Sequence, residues 1–236
     1  MKGFDRPLKP DWIYKIIQEV EVGERIYQRR EKLYNILVEL DGKTGKRKVI
    51  TVIGRYYLKS FDAPKGNKVK SNIVYNMIKN KPYEETIPVM LFNLLVKAPI
   101  LQHFSEQLLK YYHRNEDINS DYLRKKSYEK IGERDIAARS LRNFLSTLVD
   151  FRVLKRNENK SYSWNKKIKV NEENAIKFLK LFSEYYLNSP QVSLNNLPES
   201  IFFYFDMPDL KEIASKYNND EWQYTRRANT SLITFI

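Results

Sequence analysis

The chain has 236 residues, with 42 Lys and Arg against 29 Asp and Glu for a formal charge of +13, and 42% hydrophobic and 14% aromatic residues. That apolar content supports one or two domains with a real core and argues against intrinsic disorder. The absence of cysteine excludes disulfides, thiolate metal sites and a cysteine nucleophile.

Lys9-Pro10-Asp11 opens the first expected helix, with Trp12, Ile13, Ile16, Ile17 and Val20 on one face and Gly23 as its end. A second helix is expected through Ile26, Arg30, Leu33, Leu37 and Leu40. Asp41 to Lys48 then reads as a basic turn carrying Lys43, Lys46, Arg47 and Lys48. The letters GKT do not make a nucleotide-binding loop, because Leu37 stands where that motif needs its first glycine. The turn is instead expected to contact phosphates of a nucleic-acid backbone. The run VITVIGRYYL mixes β-branched residues with a helical stripe, and it is read as a helix. Asp62 to Lys68 is the linker candidate, Ser71 the cap of a further helix, and Pro88 the start of a short apolar helix ending before Pro99.

Residues 99–170 carry the main functional reading. Ile100, Phe104 and Leu108 mark one helix there, and Asn119 or Ser120 caps a second that stops at Gly132. The third, Glu133 to Phe151, has Ala137, Leu141, Leu145 and Leu148 as an apolar stripe. Another face bears Arg139, Arg142, Asn143 and Ser146 at helical spacing. Arg and Asn match guanine and adenine edges in a major groove. VLKR and SYSW, on either side of Asn157-Glu158-Asn159-Lys160, read as a hairpin that presents Lys155, Arg156 and Lys160.

Beyond Val170, Asn171 caps a long helix through Ile176, Leu179 and Phe182. LPESIFFYFD is a helix or strand, PDLKEIASKY a short helix, and EWQYTRRANTSLITFI two strands. The charge changes sign along the chain: residues 1–98 hold +9, 99–170 hold +7 and 171–236 hold −3. A polyanion is therefore expected to meet the first 170 residues, and the acidic part to meet something else.

Catalytic constellations are scarce. His103 and His113 are read as surface or interface residues, and Asp206, Asp209 and Lys211 only imitate a nuclease site, with Asp209 placed to start a helix. No enzyme, metal or cofactor is expected. The longest apolar stretch, IPVMLFNLLV, contains an Asn and is too short to span a bilayer, and MKGFDRPLKPDW has no apolar centre for a signal peptide. The expected setting is cytoplasmic, with no membrane contact.

The order helix, helix, helix, ribbon in residues 99–170 resembles the winged helix-turn-helix superfamily, most of whose members bind DNA. Through RKVITVIGRYYL, SLRNFLSTLVDFRVLKR and NENKSYSW, about two thirds of the chain also resembles the BrxA-type accessory proteins of bacterial phage-defence (BREX) systems. Those are small, basic, mostly helical DNA-binding proteins. The resemblances imply an α+β, mostly α fold: a basic helical region at 1–98, a winged helix with a β-ribbon wing at 99–170, and an acidic helix-plus-hairpin extension at 171–236. The function implied is non-enzymatic binding of double-stranded DNA, and the second resemblance suggests an accessory role in phage defence. The extension would then stabilise the chain, or dock a protein partner or a second copy, and the chain truncated after Leu187 is expected still to bind DNA. The alternative is a protein-interaction scaffold whose winged helix and C-terminal part bind a partner protein.

Overall fold

The computed structural model describes residues 3–58, 68–159, 161–227 and 230–236. Pro10–Glu19 forms helix α1: proline at the first turn loses no intrahelical bond, and Trp12, Ile13, Ile16 and Ile17 share one buried face. A 3-10 turn at Ile26–Arg29 leads into α2, Arg30–Ile36. The stretch expected as a basic turn is the first half of a helix, α3, Lys43–Ile53, which starts immediately after Gly42 (φ 76°). The apolar stripe Val49, Val52 and Ile53 supplies the reason, since burial of that face draws the preceding lysines into the same helix. The reading of VITVIGRYYL as helical holds, with a π-helical turn at Gly54–Leu58.

Wide π turns free carbonyls that need other donors. Tyr56 O accepts from Asn93 Nδ2 (3.0 Å) and Lys97 Nζ (3.1 Å), both on α5, Tyr83–Lys97. Asn72 Nδ2 donates to Tyr57 O (2.8 Å) while its oxygen, rather than that of Ser71, caps α4, Ile73–Asn80. Pro88 lies inside α5 instead of opening it; the carbonyl it leaves unbonded belongs to Glu84, whose residue faces solvent. Every residue from Pro88 to Val96 is buried, which makes α5 the central rod of the molecule. The expected linker falls outside the described residues except Lys68, which bridges to Arg25.

Next come α6 (Pro99–Tyr111), α7 (Ser120–Ile131) and α8 (Asp135–Asp150), which pack against one another. The strands β1 (Leu154–Arg156) and β2 (Tyr162–Trp164) follow as an antiparallel hairpin with Arg156 opposite Tyr162. Ile118, just before α7, exchanges both backbone bonds with Tyr162 (2.7 and 3.0 Å), so the hairpin is joined to the segment between the first two helices. At the end of α8, Arg152 (φ 60°) donates to Val149 O and Val153 to Leu148 O, a Schellman closure that turns the chain into β1.

In the last part, β3 (Ile168–Lys169) pairs in parallel with β5 (Phe205–Asp206). Helix α9 (Glu172–Phe182), capped by Asn171, ends in a second π turn, Ser183–Leu187, and packs on α5. Between lie β4 (Gln191–Ser193) and α10 (Glu199–Phe202); α11 (Leu210–Lys216) then precedes β6 (Trp222–Arg227) and β7 (Thr230–Phe235), with β7 central in a β4-β7-β6 sheet. The aromatic residues here are largely interior. Phe178 stacks on Phe92 of α5 (3.9 Å), and Phe202 and Phe205 meet the same ring edge-on. Trp222 is fully buried with its indole N–H on Ala214 O. Buried side chains continue without a gap across the expected boundaries at 98/99 and 170/171. No single helix among the described residues is long and apolar enough to cross a membrane.

His103, expected at the surface or an interface, is buried between α6 and α7, its Nε2 3.3 Å from Ser127 O and its Nδ1 without a partner among the described residues. His113 is exposed. Burial, and to a lesser degree the charge of Lys130, lowers the His103 pKa below its ordinary 6.5. The folded state then refuses a proton that the unfolded chain accepts, so stability is complete above about pH 6.5 and falls as the pH drops through that value. Urea midpoints measured from pH 7.5 to 5.5 are expected to decline. The decline in this window should flatten in His103→Gln, and an equal slope in both proteins would contradict the assignment.

Candidate nucleic-acid interface

Helix α8 has three faces. Ala137, Leu141, Phe144, Leu145 and Leu148 fill the core. Ser140, Asn143 and Thr147 form a second face, which holds the N-terminal segment. Phe4 N donates to Ser140 Oγ (2.8 Å), Asn143 Nδ2 to Phe4 O (2.7 Å) and Leu8 N to Thr147 Oγ1 (3.0 Å). Gly3 lies so close that a Cβ there would come within 2.5 Å of Ile136 Cγ1. This corrects one expected contact: Asn143 is buried, and its amide is committed to the protein's own backbone.

The third face is open. Arg139 and Arg142 are exposed, and Ser146, one turn beyond Arg142, is half-buried. On the hairpin, Lys155 and Arg156 are exposed on opposite sides of the ribbon, because successive strand residues alternate. Lys160 lies outside the described residues. The hairpin turn is held by a polar network: Asp117 accepts from Asn157 Nδ2 (3.1 Å) and Ser161 Oγ (3.4 Å), and Asn157 also donates to Ser161 Oγ (2.9 Å).

Helix α3 lies near the segment that lines α8. The Lys9–Glu39 ion pair, just ahead of α3, lies within electrostatic reach of Asp150 at the end of α8. Arg55, just beyond α3, donates to Gly3 O (3.5 Å), next to the start of α8. α3 therefore flanks the segment 3–8 that lines α8. Lys43, Arg47 and Lys48 are exposed, whereas Lys46 is half-buried and its Nζ is spent on Tyr34 O (3.0 Å).

Some of the other cations are paired, whereas Lys110, Lys125, Lys177, Lys211, Arg226 and Arg227 also lack a carboxylate partner among the described residues. Lys15, Arg29, Lys32, Lys79, Lys81 and Lys216 each sit in an ion pair. Arg139, Arg142, Lys155, Arg156, Lys43, Arg47 and Lys48 have no carboxylate partner among the described residues. Lys43, Lys46 and Arg47, in the first turns of α3, repel its positive pole, an unfavourable placement. Compared with protein-family models, curated proteins and solved structures, the chain finds no match. The site must be read from its own chemistry.

That chemistry is electrostatic. Among the described residues no three metal-ligating side chains gather. Asp209 caps α11 through Lys211 N and Glu212 N, and Asp206 stands on β5. Unpaired guanidinium and ammonium groups on a helix and an adjoining hairpin can grip phosphates and reach base edges.

Proposed function

We propose that the chain binds double-stranded DNA without catalysis, using residues 99–170 as a winged helix in which α8 enters the major groove and the β1–β2 hairpin is the wing. The observation that carries this reading is the unpaired, exposed pair Arg139 and Arg142 on α8, directly ahead of a hairpin bearing Lys155 and Arg156. The bridge from Ile118 to Tyr162 supports it, since it ties the hairpin to the helical unit as a wing requires. Helix α3 contributes sequence-independent phosphate contacts through Lys43, Arg47 and Lys48. A role beside phage-defence machinery, as the BrxA-type resemblance suggests, belongs to the same proposal, as does a protein partner or second copy on the C-terminal part. Binding measured against salt is the direct test: affinity for duplex DNA is expected to fall steeply as salt rises. No binding at low salt would favour the scaffold reading.

The α3 contribution has its own signature. Replacing Lys43, Arg47 and Lys48 together by Gln is expected to weaken all duplexes alike. It should flatten the slope of log K against log salt by about 0.9 for each phosphate that is no longer neutralised. A weakening that depends on DNA sequence would instead make α3 a base reader.

A further inference from the structure

Phe203, in the turn that closes α10, has a half-buried ring on which two cations converge. The Arg114 guanidinium carbon lies 5.0 Å and the Lys167 Nζ 5.4 Å from its centre. Arg114 belongs to the connection between α6 and α7, Lys167 to the link from β2 to β3, and both are exposed. Neither has a carboxylate partner among the described residues. The acids that follow Arg114 in sequence are otherwise engaged: Glu116 accepts from His113 N (2.7 Å), and Asp117 holds the hairpin turn. Tyr111 also carries two lysines, Lys110 and Lys126, but there Glu129 answers Lys126. A ring contact orients a cation without neutralising it, so its charge stays available to an outside anion. Position matters as much as charge. Phe203 meets Trp164 edge-on (5.0 Å) at the base of the hairpin. Trp164 stands opposite Leu154, and Tyr162 opposite Arg156, so these four side chains share one face of the ribbon. That face looks toward α8, because Tyr162 and Arg142 line one cleft. Arg114 and Lys167 are thus gathered at the base of the ribbon face whose far end carries Arg156.

We propose that Phe203 is a positioning residue that sets Arg114 and Lys167 as a two-cation grip on the DNA backbone beside the wing. This rests on the DNA-binding reading and adds three residues to it. One of them comes from the acidic C-terminal part, which serves the interface here without touching the nucleic acid. Arg and Lys side chains are long, and fixing each on binding costs rotamer freedom. Contact with the ring removes part of that cost before DNA arrives. The grip meets phosphates and not base edges, so it adds affinity without sequence preference.

Duplex-DNA titrations over a salt series compare wild type with Arg114→Gln/Lys167→Gln, Phe203→Leu and Phe203→Tyr, with thermal unfolding of each as the control for folding. The double variant is expected to weaken all duplexes alike. It should flatten the slope of log K against log salt by about 0.9 for each phosphate it no longer neutralises. Phe203→Leu keeps both charges but loses the ring. Its affinity should fall about tenfold, the ordering cost of two long side chains, with an unchanged salt slope. Phe203→Tyr keeps the ring and should bind as wild type does. A folded double variant with wild-type affinity and slope overturns the grip while leaving DNA binding intact. Equal affinities for Phe203→Leu and Phe203→Tyr overturn the positioning role. If wild type binds no duplex at low salt, the DNA-binding reading itself fails, and the grip with it.

Discussion

Replacing Arg139 and Arg142 together by Ala is expected to weaken duplex-DNA binding by about 2–6 kcal/mol, taking about 1–3 for each good contact. Both side chains are exposed and off the apolar face of α8, so thermal unfolding should stay close to wild type. Asn143→Ala is the informative contrast. It removes the donor to Phe4 O from a buried site, so it should lower stability by about 1–3 kcal/mol. Its effect on DNA affinity should be small wherever the protein remains folded. Unchanged affinity in a folded Arg139/Arg142 double variant would take α8 out of the interface.

Removal of residues 188–236 is expected to abolish cooperative folding, contrary to the sequence-based expectation of a DNA-binding remnant. The deleted part contains Tyr204, fully buried, whose hydroxyl meets Ser105 Oγ on α6, while Ser105 Oγ donates to Ser200 O (2.6 Å). It also removes Phe202 and Phe205 from the ring of Phe92. Three such aromatic side chains, at about 3–5 kcal/mol each, match the whole stability of an ordinary domain. Circular dichroism against temperature and dye binding to exposed apolar surface would report the unfolding. A sharp transition in the shortened chain would return the C-terminal part to the status of a separable unit.

The helices of residues 99–170 were legible because apolar spacing, the Asn119 cap and the Gly132 stop all agree. The hairpin was legible because two short strand-like runs enclose four polar turn residues. The division of α8's polar side was not. Ser140, Asn143 and Thr147 look like solvent-facing residues beside Arg139 and Arg142, and only the tertiary fold reveals which are taken by the backbone of residues 4–8. A physical signal existed in the chemistry: the three short uncharged groups can be buried by one hydrogen bond each, whereas the two guanidinium groups cannot. The start of α3 was missed for a different reason. Two glycines and four cations argue locally for a turn, and the burial of Val49, Val52 and Ile53 outweighs them.

The clasp between residues 3–8 and α8 has a temporal side. Phe4 and Ser140 are 136 positions apart, and at about 5–20 residues per second a ribosome needs roughly 7–27 s to make the second after the first. Throughout that interval Phe4 and Leu8, both fully enclosed in the finished protein, lack the α8 part of their enclosure. The earliest-made part of this segment is therefore among the last to settle. The nascent chain must carry these two side chains incompletely covered until α8 emerges, and long-separated contacts of this kind slow the final docking step.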